Sequence, residues 1–316
     1  MDRKFLKISM ILLAAALMGT AATEAQNSRL RVATTTSLYD TGLLDLLEDR
    51  FEEEYNVSMD TISGGTGIAI QYGERGDVDA LLIHDRAREM KFIQDGHGLQ
   101  RRCIAYNYFV IVGPQSDPAG IRGMNATQAF RVLREMGSAD PGEVMFVSRG
   151  DSSGTHAREQ LLWRNAGYNY SLINRSGPWY IDAGSGMGAT LLLANERDAY
   201  TLSDTGTFLA YQGNLSLVPL IEGGDELLNV YTAIAVNPEK HRGANCDLAN
   251  RFIDFLVSDE GQNLIANYGR DRYGQSLFYP AAGNCSKIGC PEAECAMPTN
   301  ASCSTAAATA SEPSVA

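Results

Sequence analysis

Five short segments rich in serine, threonine and glycine are the part of this sequence best suited to binding chemistry. They cover residues 34–37, 63–67, 148–156, 184–188 and 203–207. Hydroxyl groups donate hydrogen bonds, and glycines leave backbone N–H groups open to a ligand. Any one such segment is commonly only a helix cap or a tight turn. Together, if they converge, they predict a donor-rich site for a small anion.

Arg149 adds a full positive charge to the third segment. Its planar guanidinium presents five N–H donors, which suit an oxyanion better than a lysine ammonium does. Asp151 follows two residues later and offers a purely structural partner. The two interpretations are compatible, because a carboxylate behind the guanidinium could orient it while other donors face a ligand.

Alternating strands and helices must position these segments. Strand patterns cover residues 30–34, 57–63, 78–84, 144–148, 179–182 and 199–202, and helical patterns cover 42–55, 66–73, 88–94, 127–136, 155–166 and 187–195. We expect Asp40 or Thr41 to cap the first of these helices. The alternation predicts an α/β fold with mostly parallel sheet covered on both faces. Ligands of such sheets bind at the carboxyl ends of the strands, where the five segments lie.

Composition narrows the class of protein. The 316 residues suffice for one large domain or two ordinary ones, and 44% hydrophobic with 20% charged residues is typical of a globular chain. The net charge of -12 excludes the basic surface that nucleic-acid binding requires.

The two ends of the chain differ from its body. Residues 1–25 have a basic start and an apolar run too short for a bilayer span, which predicts a cleaved signal peptide and a soluble, exported protein. Six cysteines in an exported chain predict disulfides, with the pairing of the last four left open. Residues 284–316 have almost no large apolar side chains, and we expect a flexible tail. Seven Asn-x-Ser/Thr sequons suggest glycosylated loops.

Catalysis is a competing hypothesis. Residues 150–154 match G-x-S-x-G between a strand and a helix, and Asp204 and His241 follow Ser152 in the order of an esterase triad. Against it, His241 lies in a polar loop, and an esterase explains neither Arg149 nor the other four segments. The other histidines, His84, His97 and His156, lack ligand spacing, so we expect no metal site, no cofactor and no enzyme.

The motifs also resemble a known family. ATTTS at 33–37, DTGLLD at 40–45, GDVD at 76–79, SRGDSSGTH at 148–156, GSGMG at 184–188 and YTLSD at 200–204 are similar, in this order, to the tungstate-binding proteins of ABC transporters. The segment from Arg149 to Thr155 also resembles the anion loop of periplasmic phosphate-binding proteins.

The resemblance implies a two-lobed class II solute-binding fold with two crossovers. Lobe 1 would comprise residues 29–112 and 230–283, and lobe 2 residues 113–229. It further implies a monomeric, non-catalytic receptor outside the cytoplasmic membrane that traps tungstate or molybdate between its lobes. The partner would be a membrane permease with a cytoplasmic ATPase.

The same resemblance assigns ligand contacts by motif. Thr36, Ser37 and Thr66 would bind from lobe 1, Arg149, Ser153, Gly154 and Thr155 from lobe 2, with backbone N–H groups of Ser185, Gly186 and Met187. A deprotonated tetrahedral dianion needs donors alone, whereas phosphate keeps a proton near neutral pH and rewards a carboxylate acceptor. Asp85 is the candidate for that acceptor, although a cap is the commoner role for an aspartate there.

Overall fold

The structure is a computed structural model that describes residues 28–295 and Cys303. The strands are β1 (Arg29–Thr35), β2 (Ser58–Gly64), β3 (Ala80–Ile83), β4 (Gly98–Gly113), β5 (Phe146–Ser148), β6 (Tyr180–Asp182), β7 (Tyr200–Asp204), β8 (Val218–Glu222), β9 (Leu228–Val236) and β10 (Tyr279–Pro280). The helices are α1 (Thr36–Tyr39), α2 (Leu43–Tyr55), α3 (Thr66–Arg75), α4 (Arg86–Gln94), α5 (Ala126–Ala139), α6 (Gly154–Asn165), α7 (Tyr170–Ile173), α8 (Met187–Glu196), α9 (Thr205–Tyr211), α10 (Cys246–Val257), α11 (Asp259–Asn267), α12 (Arg270–Tyr273) and α13 (Glu292–Cys295).

The strands form one continuous sheet, and the strands at each of its two ends run parallel to their neighbours. The order is β2-β1-β3-β9-β4-β7-β5-β6, with β8 and β10 also paired to β4. β1 runs parallel to β2 and β3, and β5 runs parallel to β6 and β7. β9 is antiparallel to both β3 and β4. The predicted α/β class is confirmed, and the antiparallel pairs are confined to the middle of the sheet.

The long strand β4 belongs to both halves of this sheet. Its residues 98–108 pair with β9, and its residues 109–113 pair with β7 and β8. The chain returns through β8 and β9, so it crosses twice between a first half (β1–β3, β9 and β10) and a second half (β5–β8). The first exchange of pairing partners falls between Tyr108 and Phe109, a few residues before the boundary expected at 112.

Each half buries its own apolar core. Leu30, Phe51 and Phe252 belong to a cluster under the first half, and Phe130 and Trp163 to a separate cluster under the second. Helix α2 buries Leu43, Leu44, Leu47 and Phe51, the face that its 3.6-residue periodicity predicts. Two cores joined by a shared strand allow two bodies to form around one cleft.

The predicted helices and strands are confirmed, with ends that differ by a few residues. The expected cap of α2 is wrong, because its N-cap is Gly42 and neither Asp40 nor Thr41. The short helix α1 occupies residues 36–39, and the chain then turns through Gly42 at φ 77°. A Cβ at Gly42 would also lie 2.7 Å from Tyr268 Oη, so a glycine is required there.

The expectation of a flexible tail does not hold for residues 284–295. Disulfides join Cys103 to Cys290, Cys285 to Cys295 and Cys246 to Cys303. Within this segment Cys285, Ile288, Cys290 and Cys295 are buried against Cys103 and Tyr106 of β4. Cross-links replace the apolar core that this stretch lacks, which sequence composition alone did not reveal.

Two further expectations fall partly or wholly outside the described residues. The predicted signal peptide at 1–25 and the sequon at Asn300 lie there, as does most of the segment after Cys295. Within the described part of the chain, no helix has the length and apolar character needed to cross a bilayer.

Candidate functional site

All five donor-rich segments lie where a strand ends and a helix begins. Thr36 opens α1 after β1, Thr66 opens α3 after β2, Ser153 caps α6 after β5, Gly186 caps α8 after β6, and Asp204 caps α9 after β7. Since the first amides of a helix have no partner within it, each junction offers N–H donors at the positive end of a helix dipole.

Arg149 brings four of these segments together across the two halves. Its Nη2 donates to Thr36 Oγ1 at 2.7 Å, and its carbonyl accepts from the Ser185 N–H at 3.3 Å. A Cβ added at Gly65 would lie 3.3 Å from the Asp151 carbonyl oxygen, so the β2–α3 junction also reaches the loop that carries Arg149. The predicted convergence at a shared position between the halves is therefore present.

Three of the predicted ligand residues carry buried donors that have no partner. Thr66 Oγ1, Thr155 Oγ1 and Arg149 Nη1 are three of the six buried side-chain nitrogen or oxygen atoms in the described residues that make no hydrogen bond. Their residues are 0%, 1% and 2% exposed. A buried unsatisfied donor costs about 1–3 kcal/mol, which a ligand offering only acceptors would recover.

Asp151 orients the guanidinium, as the compatible interpretation of the sequence predicted. Asp151 Oδ2 accepts from Arg149 Nε at 2.7 Å, and its Oδ1 accepts from the Ser153 N–H at 3.1 Å. Gly150 between them has φ 65°, and a Cβ there would collide with the Asp182 carboxylate. This tight turn fixes the fork of Arg149 and leaves Nη1 unbonded.

The hydroxyl of Ser37 is turned away from ligand binding by a hydrogen-bonded chain that sequence reasoning missed. Asn229 Nδ2 donates to Asn107 Oδ1 and Tyr231 Oη, so Asn229 Oδ1 must accept from His84 Nδ1 at 2.8 Å. Burial lowers the pKa of His84 to about 4, so the ring is neutral near pH 7. His84 Nε2 then accepts from Ser37 Oγ at 3.2 Å. Ser37 has one hydroxyl proton, and only its backbone N–H remains for a ligand.

The remaining predicted residues differ in what they can offer. Ser153 Oγ accepts from the His156 N–H and keeps its own proton free to donate. Gly154 packs on His84 of the first half, and a Cβ there would lie 2.6 Å from the ring. Met187 buries its side chain in the second half's core, so only its backbone N–H faces the junction, beside half-buried Ser185 and Gly186.

Asp85 and Asp204 near the Arg149 loop already accept hydrogen bonds. Asp40 instead interacts with Arg149 through its charge: burial raises the pKa of Asp40, and the charge of Arg149 opposes that rise. Asp85 caps α4 by accepting from the Arg88 N–H, and its second oxygen pairs with Arg88 Nε. Asp204 accepts from the N–H and the hydroxyl of Thr207. Burial raises the pKa of Asp204, while Thr207 and Arg149 oppose that shift. Asp85 thus caps α4, the commoner role for an aspartate there, and both of its oxygens are already engaged by Arg88.

The esterase triad is not assembled. His241 Nε2 bonds to His97 Nδ1 at 2.9 Å, Asp204 bonds to Thr207, and Ser152 donates its N–H to His156. His97 also stacks on His241, which lies 144 residues away in the chain. No sequence spacing signals that contact.

The side-chain cluster most similar to a metal site in the described part of the chain has no free thiol. It consists of Cys103, Cys290 and Glu294, and the two cysteines are joined in a disulfide. Their sulfurs are therefore not thiolates, the form that binds metal.

Comparison with known proteins agrees with this geometry. Residues 20–260 match the model of the PBP superfamily domain. A relative from Haloferax volcanii, assigned by name to the anion-binding proteins of ABC transporters, is 46% identical over 84% of this chain and 75% of its own. The tungstate-binding protein TupA of Peptoclostridium acidaminophilum is 37% identical over 87% of this chain and 96% of its own.

A solved structure extends the comparison to three dimensions. The crystal structure of the tungstate ABC transporter from Geobacter sulfurreducens superposes with a TM-score of 0.67 and 45% identity, covering 76% of this chain and 98% of that one. With the family model, the relatives and the shared fold in agreement, this chain belongs to the PBP superfamily and, within it, to the family of the tungstate-binding proteins of ABC transporters.

Proposed function

We propose that this chain is the extracytoplasmic receptor of an ABC transporter and that it captures tungstate between the two halves of its sheet. The observation that carries the proposal is the set of three buried, unpartnered donors, Arg149 Nη1, Thr66 Oγ1 and Thr155 Oγ1, on segments that meet across the halves. A bare tetrahedral oxyanion presents only acceptors and would satisfy all three.

The contacts divide between the two halves. Thr36 and Thr66 bind from the first half, and Arg149, Ser153 and Thr155 bind from the second. The N–H groups of Ser37, Gly186 and Met187 and the backbone of Gly154 complete the donor shell. The predicted Ser185 N–H is not counted among them, because it already donates to the Arg149 carbonyl. Charge-assisted bonds from the guanidinium contribute most, because each is about twice as strong as a neutral one.

The ligand class follows from which groups are free. Phosphate near neutral pH carries a proton that needs an acceptor. The carboxylates of Asp85, Asp151 and Asp204 already accept a hydrogen bond or pair with a cation at both oxygens, which leaves fewer lone pairs for that proton. This favours tungstate and molybdate over phosphate. The two metal oxyanions have nearly the same size and charge, and similarity to tungstate-binding relatives favours tungsten.

Transport requires motion of two bodies and a partner in the membrane. Residues 29–112 with 230–283 form one lobe and residues 113–229 the other, and they close over the anion so that a low dielectric strengthens each contact. The signal peptide at 1–25 directs export, and the mature chain acts as a soluble monomer without catalysis. The closed form delivers its ligand to a permease driven by a cytoplasmic ATPase.

A thermal-shift panel with tungstate, molybdate, phosphate, sulfate and chromate tests the proposal. A ligand at 100 times its dissociation constant adds about 2.7 kcal/mol to the free energy of unfolding. We expect tungstate and molybdate to raise the melting temperature at micromolar concentration, with sulfate and phosphate inactive there. A larger shift with phosphate would favour the phosphate-type alternative, and no shift with any anion would refute both.

A further inference from the structure

A groove of about 680 Å³ runs between α4 and α6, beside the candidate anion site, and Gly154 lies between the two. Four arginines line it: Arg86, Arg88, Arg158 and Arg164. We call it the arginine groove. Asp85 is the single carboxylate in its lining, and both of its oxygens are bonded to Arg88.

The charge of this groove opposes that of the molecule. The whole chain has 38 acidic and 26 basic residues, yet four arginines and one aspartate line the groove. Like charges placed together repel, so folding stability does not explain the cluster. An external group with negative charge would neutralise it.

Backbone carbonyls hold three of the guanidinium groups in place, and of these only Arg88 also pairs with a carboxylate of the groove, that of Asp85. Arg88 Nη1 donates to the Ser152 carbonyl at 2.6 Å, and Arg86 Nη1 donates to the Gly289 carbonyl at 3.2 Å. Arg158 donates to the carbonyls of Glu226 and Leu228 at 3.0 and 2.8 Å. Burial lowers the pKa of Arg158, and the charge of Asp85 opposes this only in part. The cations are thus positioned in advance for an anionic partner.

The groove exists only when the two halves meet. Helix α4 follows β3 of the first half, and α6 follows β5 of the second. The Arg88 bond to Ser152 and the packing of Gly154 on His84 join the two walls. A partner that fills the groove would therefore bind the closed form in preference to an open one.

We propose that the arginine groove is a docking site for a carboxylate-bearing peptide segment of the membrane partner, which recognises the closed, loaded receptor. The inference rests on the proposed function, because it needs a partner that distinguishes the two forms. Half-buried Met90 and exposed Leu161 in the lining offer apolar contacts beside the charges. Arg164, exposed near the C-terminal end of α6, is accessible to such a segment.

Fluorescence anisotropy with a labelled peptide of alternating glutamate and leucine tests the groove. We expect about tenfold tighter binding with tungstate than without it, and about a tenfold loss in Arg164→Glu. Arg197→Glu is the matched control, since it makes the same charge change at an exposed site outside the groove. We expect it to change peptide binding by no more than about twofold.

Calorimetry of tungstate with the same variants separates the two proposals. Unchanged tungstate affinity in Arg164→Glu, with peptide binding lost, supports docking at the groove. Three results would each overturn the docking site and leave the tungstate site intact. They are equal losses of peptide binding in Arg164→Glu and Arg197→Glu, a peptide affinity that does not change with tungstate, and no peptide binding to the loaded wild type. Failure of the wild type to bind tungstate would instead refute the proposed function.

Discussion

At the scale of single residues, the site is defined by which polar atoms lack a partner. Arg149 is 2% exposed, bonded at Nε to Asp151 and at Nη2 to Thr36, and still has an unpaired Nη1. A buried cation held this way has its geometry set before any ligand arrives. The contrast with Ser37, whose hydroxyl proton is used by His84, shows that residue type alone does not identify a donor.

Replacing Arg149 by lysine keeps the charge and removes the planar fork. We expect tungstate affinity to fall by about 1.5–3 kcal/mol, the value of one charge-assisted hydrogen bond. Isothermal titration calorimetry measures the change, and Arg197→Lys on the exposed end of α8 serves as the control. An affinity equal to that of the wild type would remove Arg149 from the site.

The shifted pKa of buried Glu159 predicts that the free energy of unfolding depends on pH. It is buried and accepts hydrogen bonds from Ser148, Trp163 and Tyr180, yet burial raises its pKa to about 7. Between its unfolded pKa of about 4.5 and about 7 the folded state binds more protons. The free energy of unfolding therefore falls as pH rises through this window, by up to about 3 kcal/mol in total.

Chemical denaturation of wild type and Glu159→Gln from pH 4.5 to 8 isolates that effect. His84 contributes with the opposite sign. Because burial lowers its pKa in the folded state, the free energy of unfolding falls as the pH drops below about 6.5. Both proteins contain His84, so the difference between their unfolding free energies reports Glu159 alone. A difference that does not change with pH would contradict the prediction.

At the scale of secondary structure, helices α4 and α6 carry the hydrogen bonds that join the candidate site to both halves of the sheet. The N-terminus of α6 carries Ser153 and Thr155, while Arg158 one turn later bonds to carbonyls at the start of β9. Across the cleft, Arg88 of α4 bonds to Ser152. These bonds link the anion loop to the strand through which the chain crosses between the halves.

Removing the Arg88 guanidinium should weaken closure. A net hydrogen bond contributes about 0.5–1.5 kcal/mol, so we expect Arg88→Ala to release tungstate about 3- to 10-fold faster in stopped-flow experiments. Arg75→Ala is the matched control, because Arg75 is exposed and pairs with Asp77 within the first half. Equal release rates in the two variants would show that the Arg88 bond does not hold the closed form.

Sequence patterns predicted these helices well because the information is local. The apolar face of α2 repeats every three to four residues, and glycine and serine mark the ends of α3 and α6. The cap of α2 was missed, because α1 inserts a turn whose need for Gly42 depends on Tyr268, more than 200 residues away.

At the scale of the whole molecule, disulfides stabilise a terminal segment with little core of its own. The bridge from Cys103 to Cys290 spans 187 residues, and that from Cys285 to Cys295 spans 10. In the chain-entropy description the longer loop contributes about 5 kcal/mol and the shorter about 3 kcal/mol.

Paired serine substitutions test that difference. We expect Cys103→Ser with Cys290→Ser to lower the free energy of unfolding more than Cys285→Ser with Cys295→Ser, as measured by urea denaturation. Tungstate affinity should stay unchanged in both, because neither bridge touches Arg149. The reverse order of stabilities would contradict the entropic explanation.

The sequence by itself determined six strands and six helices before residue 205, the donor-rich junctions between them, the export signal that we expect and the exclusion of a nucleic-acid partner. It did not predict β4, α1, α7 or the elements after β7. The features that it determined depend on composition or on residues within one or two turns of each other. The tertiary structure decided the rest: the unpartnered Nη1 of Arg149, the hydrogen bond that Ser37 donates to His84, the disulfide pairing and the arginine groove. Each of these depends on which distant residues meet, and the free energy of a polar atom is set by the partner it finds on folding, which no local pattern specifies.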